Sequence, residues 1–158
     1  MNTNENRKII FLDVDGVLNI FSPSYRSSDS KHYGLDAIEP HLVRRLEWLL
    51  EQTPNSFVVV SSSWGLSSLF ETLHKRNFKY HNKIIARTPR NKYHLRGEQI
   101  NQWLMENEWG SYVVFEDEIS DVCGEKCSII PREFVVEIDS TEGLSHKNIE
   151  RAINILNL

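Results

Sequence analysis

Long apolar runs are missing from this 158-residue chain. None approaches the ~18 residues that a membrane-spanning helix needs, so a transmembrane reading is excluded. Cysteine is nearly missing too. Cys123 and Cys127 are the only two, too few for a disulfide framework, and their spacing lacks the further ligands of a structural zinc site. They read as two ordinary thiols. Met1 to Arg7 is polar and carries no apolar stretch of the kind a secretory leader requires, so the expected compartment is the cytoplasm. An excess of one charge is also lacking: 18 basic against 22 acidic residues leave a net charge of −4, which removes any global signature of polyanion binding. Internal repeats and low-complexity segments are absent. The length suits one domain over residues 1–158, large enough to bury a sizeable core.

What is present is alternation. Lys8-Ile9-Ile10-Phe11-Leu12 runs into Asp13 as an apolar strand. Pro40 opens a helix to about Gln52, with Leu42, Leu46, Leu49 and Leu50 on one stripe. Phe57-Val58-Val59-Val60 is a second strand, and a helix over 66–75 carries Leu66, Leu69, Phe70 and Leu73. Ile84-Ile85-Ala86 reads as a short third strand. A helix over 97–107 turns Ile100, Trp103 and Leu104 inward, Tyr112 to Phe115 is a strand, and Phe134 to Ile138 is another. The last helix starts near Ser145, its expected N-cap, with Ile149, Ala152, Ile153 and Leu156 on its stripe. Trp48, Trp64, Trp103 and Trp109 fall mostly where packing would place them. Strand–helix alternation of this kind predicts an α/β three-layer, Rossmann-like fold, a mostly parallel sheet with helices on both faces. Ligands of such sheets sit beyond the C-terminal ends of the strands.

The most informative residues lie at such an end. Asp13-Val14-Asp15-Gly16 follows the first strand. Carboxylates two apart on extended chain share a face, and like charges so close call for a cation. The glycine lets the chain turn and approach a ligand. Mg²⁺ suits the pattern, since it takes one or two carboxylates and keeps positions for phosphate oxygens and water. An EF-hand template fails, because glycine stands fourth rather than sixth. A plain Asp-Gly turn is the structural alternative. Ser61-Ser62-Ser63 follows the second strand, Glu116-Asp117-Glu118 follows the Tyr112–Phe115 strand, and Arg96 precedes a helix. A parallel sheet brings all of them to one rim, as a metal-plus-phosphate site.

In these motifs the chain resembles the haloacid dehalogenase (HAD) superfamily of aspartate-nucleophile phosphatases. The first motif matches Ile9 to Gly16, the second Val58 to Ser63, the third Arg96 with Lys92 as the other candidate, and the fourth Glu116-Asp117. Leu18-Asn19, Ser62-Ser63-Trp64-Gly65, Arg96-Gly97-Glu98-Gln99-Ile100 and Gly143-Leu144-Ser145 look closest to small, cap-poor members associated with phage and bacterial nucleic-acid repair. The resemblance implies that Asp13 is the nucleophile and Asp15 the general acid and base. Mg²⁺ is then held by Asp13, the Asp15 carbonyl and a fourth-motif acid. Ser62, with Ser63 beside it, and Arg96 are expected to bind phosphate. The fourth motif departs from the family, with Glu116 where Asp is usual. Asp117 is the favoured ligand, Glu116 the alternative, and Asp121 is within reach through a water. Counting back from Trp64 selects Ser62; counting forward from the strand selects Ser61.

Charge distribution points to a substrate. Between Leu73 and Gly97 stand eight basic residues and no acidic one, interleaved with His74, Phe78, Tyr80, His81, Tyr93 and His94; between Glu98 and Glu142 stand twelve acidic residues against Lys126 and Arg132. A basic stretch with aromatics suits a single-stranded nucleic acid, with Lys79, Lys83, Arg87 and Lys92 as expected contacts. A solvated surface paired with the acidic segment is the alternative. Residues 17–60 leave no room for a large cap, so the site is expected to be open to a bulky substrate. The irregular segment 20–39 reads as a flap or minimal cap, with Tyr25, Arg26 or His32 facing substrate. The expected activity is Mg²⁺-dependent removal of a terminal phosphate from a nucleic acid or nucleotide, the partner being a phosphorylated polynucleotide end. The alternatives are a phosphoprotein or small-metabolite phosphatase, and a catalytically weak binding module.

Overall fold

Apolar strands and amphipathic helices alternate along the chain, and the fold follows from how they bury both faces of one sheet. The computed structural model describes residues 6–21, 38–90 and 94–158. Most of the expected flap, including Tyr25, Arg26 and His32, and the candidate Lys92 lie outside the described residues.

Five strands, β1 (Lys8–Leu12), β2 (Ser56–Val60), β3 (Ile84–Arg87), β4 (Ser111–Glu116) and β5 (Val135–Glu137), form one sheet in the order β3-β2-β1-β4-β5. All four pairings are parallel. The chain winds outward through β1, β2 and β3, then crosses back to lay β4 on the other side of β1. The switch point between β1 and β4 is where open α/β sheets bind ligands.

Side-chain alternation divides the core. Ile10, Leu12, Val58, Val60, Val113 and Phe115 meet the apolar stripes of α1 (Pro40–Gln52), α2 (Leu66–Lys75) and α4 (His146–Leu156). Ile9, Phe11, Val59, Tyr112 and Val114 meet Ile100 and Trp103 of α3 (Arg96–Glu106), together with Val122 and Ile130 of the segment after β4. Every expected element is present. β1 stops at Leu12, one residue early, and β5 keeps only Val135–Glu137, losing Ile138 at its end and Phe134 to a 3-10 turn at Arg132–Phe134. Helix α3 starts one residue early, which makes Arg96 its first residue. The third helix therefore begins on the residue that the chemistry needs.

Helix α4 is fixed by a reciprocal cap: Ser145 Oγ accepts from the Asn148 amide at 3.2 Å, and Asn148 Oδ1 accepts from the Ser145 amide at 2.8 Å. Its buried face, Ile149, Ala152, Ile155 and Leu156, covers the β4 side of the sheet. Substituting Ser145→Ala is expected to cost about 1 kcal/mol of unfolding free energy, read as a lower urea midpoint with an unchanged slope; an unchanged midpoint would show that the cap contributes nothing.

Candidate active site and metal centre

Register builds the site. Leu12 pairs with Val60 on one side and Phe115 on the other. The next residues, Asp13, Ser61 and Glu116, therefore stand level at three adjacent strand ends. The Ser61 amide donates to the Leu12 carbonyl at 2.8 Å and the Asp13 amide to the Phe115 carbonyl at 3.4 Å, which carries the ladder one step past β1. Continuing the alternation of Ile9 and Phe11 puts these three side chains on the α3 face.

Asp13, Glu116 and Asp117 each offer a carboxylate oxygen, and these atoms lie within 4.8 Å of one another. Asp13 and Glu116 are buried and Asp117 is half-buried. Gly16 makes room for the third: its φ is +81°, and a Cβ there would lie 2.7 Å from Asp117 Cγ. Both the turn and the carboxylate against it exclude a side chain. Glu116 Oε2 is buried without a hydrogen bond among the described residues. A buried carboxylate oxygen left unpaired is costly unless a cation supplies the missing partner. The donor set, three carboxylates at a parallel-sheet switch point, fits a hard divalent cation such as Mg²⁺.

One cation of the protein already faces the cluster. Arg96, at the first turn of α3, places Nη1 3.9 Å from Asp13 Oδ1 and Nε 3.9 Å from Glu116 Oε2, while Nη1 also donates to the Ser61 carbonyl. The aim of this guanidinium is set by packing. Gly97, next in the helix, sits where a Cβ would come within 3.0 Å of Ile129 Cγ2 and of the Asp121 carbonyl oxygen, so the loop after β4 presses directly on the helix start. Glu98 Oε2 accepts from the Leu95 amide at 3.1 Å and closes the first turn.

Asp15 points elsewhere. Its Oδ1 accepts from Trp64 Nε1 at 3.0 Å and from Asn19 Nδ2 at 2.9 Å, and Asn19 Oδ1 accepts from the Gly16 amide at 2.8 Å. The sequence pattern assigns Trp64 to packing. It is buried, but its indole N–H reaches across from the second motif to a first-motif carboxylate. The signal that could have found it is the rule that a buried indole N–H seeks a partner, applied to a tryptophan just past a strand end.

Burial governs the electrostatics. It pushes the Asp13 carboxyl from 3.8 up to about 6, against the lowering effects of Glu116 and Arg96. Burial, then the adjacent Asp13 charge, raises Glu116 far above the ordinary carboxylate range. Without a cation the cluster therefore retains protons that the unfolded chain would release.

The serines differ. Ser62 Oγ accepts from the Trp64 amide at 3.2 Å and lines a cavity of about 360 Å³ with Ser63, Arg90, His94, Arg96 and Asp121. Ser61 Oγ is buried without a hydrogen-bond partner among the described residues. The N-cap of α2 is Gly65, so the Ser62 hydroxyl does not cap that helix.

The basic stretch is split by the fold. Arg87 and Arg90 reach the site rim, where Arg87 donates to the carbonyls of Trp64 (3.1 Å) and Ser62 (2.9 Å) and Arg90 to that of Ser63. Lys83 donates instead to the Pro54 and Ser56 carbonyls, at the opposite end of β2, and Lys79 lies in the same connection, after α2 has run back from the rim. Lys79 and Lys83 thus stand toward the far end of the sheet from the rim, and the Arg87 guanidinium is bonded to rim carbonyls. Cys123 and Cys127 are free thiols. No helix among the described residues is long and apolar enough to cross a membrane.

The family model for the HAD domain in Swiss Army Knife RNA repair proteins matches residues 9–149. No curated protein matches the chain.

A cation that replaces the retained protons should stabilise the fold in a pH-dependent way. The raised Asp13 pKa contributes stability that is complete below 3.8 and is lost as pH rises through about 6. Mg²⁺ competes with those protons. The increase in thermal midpoint on adding Mg²⁺ is thus expected to be larger at pH 8 than at pH 5, by scanning fluorimetry. Equal increments would place the ion away from this cluster.

Proposed function

We propose, from the premise that this chain belongs to the family of HAD domains in Swiss Army Knife RNA repair proteins, that it is a Mg²⁺-dependent phosphohydrolase acting on a phosphorylated nucleic-acid end. The observation that carries this reading is the meeting of the Asp13, Glu116 and Asp117 carboxylates under the Arg96 guanidinium.

The residues have distinct parts in it. Asp13 attacks phosphorus, forming a carboxylate oxygen–phosphorus bond as the ester oxygen leaves with its electron pair. Asp15 gives that oxygen a proton, then takes one from the water that cleaves the aspartyl-phosphate and regenerates Asp13. Mg²⁺, when bound, would offset charge on the transferring phosphoryl group and on the cluster. Asp13, Asp117 and the Asp15 carbonyl would hold it. Glu116 faces Arg96, while Asp117 lies over the Gly16 turn, and this favours Asp117 as the second carboxylate ligand. Arg96 would neutralise equatorial phosphoryl oxygens. The Ser61 hydroxyl, level with Asp13 and without a hydrogen-bond partner among the described residues, supports Ser61 as the hydroxyl that donates to phosphate, with Ser62 and Ser63 lining the approach.

A nucleic-acid end suits the family and the rim. The cavity beside the cluster opens past Arg90 and His94, and cations there can engage a neighbouring phosphodiester. A phosphoprotein or small metabolite would use the same chemistry without that contact. A weakly active binding module is the reading that the buried, proton-retaining Glu116 favours.

Three outcomes test these points. Asp13→Asn should abolish Mg²⁺-dependent turnover of an aryl phosphate while the fold persists; substantial residual activity would end the nucleophile assignment, and an inactive wild type would favour the binding module. Asp117→Asn should raise the Mg²⁺ concentration needed far more than Glu116→Gln does, and the reverse order would move the ligand to Glu116. Arg90→Gln should raise KM for a phosphorylated oligonucleotide and flatten its salt dependence, whereas the Lys79→Gln, Lys83→Gln pair should change neither. A rise with the far-edge pair alone would put the polynucleotide on another face.

A further inference from the structure

Four consecutive carbonyls of the loop after β2 accept from arginines. Arg96 Nη1 donates to Ser61, Arg87 Nη2 to Ser62 at 2.9 Å, Arg90 Nη2 to Ser63, and Arg87 Nη1 to Trp64 at 3.1 Å. Arg87 thus spans the loop, its two terminal nitrogens holding carbonyls on either side of Ser63. Its own backbone is anchored where the loop departs. Arg87 pairs with Val60, and the Thr88 amide donates to the Val60 carbonyl at 2.9 Å.

Gathering these cations has a cost. Arg87 Nε is buried without a hydrogen bond among the described residues, and neither Arg87 nor Arg90 forms an ion pair there. Burial, then the Arg90 and Arg96 charges, lowers the pKa of Arg87. The return lies on the other side of the loop. A trans peptide points its N–H opposite to its C=O, so each amide from Ser62 to Trp64 is turned away from the arginine that holds the preceding carbonyl. The Trp64 amide donates to Ser62 Oγ at 3.2 Å. The Ser62 and Ser63 amides find no acceptor among the described residues, although Ser62 is buried. Successive N–H groups left open in a turn form a concavity that attracts an anion. Both residues line the cavity of about 360 Å³ beside the carboxylate cluster, with Arg90 and Arg96; Arg87 does not line it.

We infer that Arg87 is a positioning residue: from behind the loop it fixes the Ser62 and Trp64 carbonyls, and so presents the Ser62 and Ser63 amides to a phosphoryl group. This rests on the phosphoryl site proposed above and moves part of the binding from serine hydroxyls to backbone held in advance. Arg87, expected from the sequence to touch substrate, acts through geometry instead. A lysine could carry the same charge, but it lacks the planar fork that holds two carbonyls at once.

The test follows inorganic phosphate, with Mg²⁺ present, through the Ser62 and Ser63 amide resonances by heteronuclear NMR. In the wild type both resonances should move as phosphate binds. Arg87→Lys keeps the charge and removes the fork, so its phosphate dissociation constant is expected to rise roughly tenfold or more. The two shifts should shrink, and kcat for an aryl phosphate should fall by up to about 10²-fold, with the thermal midpoint little changed. Where Arg87→Lys folds poorly, Arg87→Gln, which relieves the crowding with Arg90 and Arg96, reads the same shifts. Wild-type phosphate affinity in these variants would overturn the inference, and so would phosphate binding that leaves both wild-type amides unmoved. Failure of the phosphohydrolase reading looks different. An inactive wild type whose phosphate shifts still depend on Arg87 would remove turnover and keep the positioning role.

Discussion

The structure depends on holding three carboxylates together at the end of a buried sheet. Asp13, Glu116 and Asp117 approach within 4.8 Å, two of them shielded from water, in a setting where unneutralised charge is expensive. Nothing in a sheet of this kind requires acidic residues at its switch point; an apolar rim would fold more easily. The molecule tolerates the arrangement because its surroundings leave little freedom to relax. Parallel pairing on both sides of β1 fixes Asp13 level with Glu116, and the glycine turn leaves the space that the Asp117 carboxylate occupies. The cost appears as retained protons on Asp13 and Glu116. A divalent cation must compete with those protons, so its binding there strengthens as pH rises.

The opposing charge is positioned by apolar packing rather than by electrostatics. Ile100 and Trp103 seat α3 on Ile9, Phe11 and Val114, and Phe11 and Trp103 meet edge to face with ring centroids 5.5 Å apart. The loop carrying Ile119, Val122 and Ile130 presses on the helix start from the other side. Arg96 therefore has its backbone fixed before its guanidinium meets any carboxylate. At 3.9 Å from both Asp13 and Glu116 it is outside hydrogen-bond range of either, so it faces the carboxylates without bonding to them.

The elements were legible because their signals are strong and local. Leucines at helical spacing after Pro40, and the β-branched runs of β1, β2 and β4, leave few other readings. The site was legible to the extent that parallel register could be assumed, since that assumption alone brings residues 13, 61 and 116 together. What resisted reading depends on which way a segment travels. The basic residues from Lys75 to Arg96 look continuous, but α2 descends from the rim and β3 climbs back to it. Lys79 and Lys83 are left at one end of the sheet, and Arg87, Arg90 and Arg96 at the other. The Trp64–Asp15 bond was hidden for a related reason. It joins two loops 49 residues apart, and the indole's burial, which is all that sequence pattern predicts, says nothing about where its N–H points.

Glutamate at position 116 is best understood through the same register. An aspartate there would keep its carboxylate close to the strand, directly beside Asp13. The extra methylene brings a Glu116 oxygen within 3.9 Å of Arg96 Nε while the carboxylate stays in the cluster with Asp13 and with Asp117, one residue later against the Gly16 turn. Because successive residues of an extended chain point to opposite sides, Asp117 could not reach that position while β4 remained regular. The strand ends at Glu116, with its carbonyl still accepting from Ile138 at 2.9 Å, so Asp117 is the first residue free to turn back over the rim. The longer acid and the early strand end are thus coupled. Shortening residue 116 would act on the distance to Arg96 as much as on any bound cation.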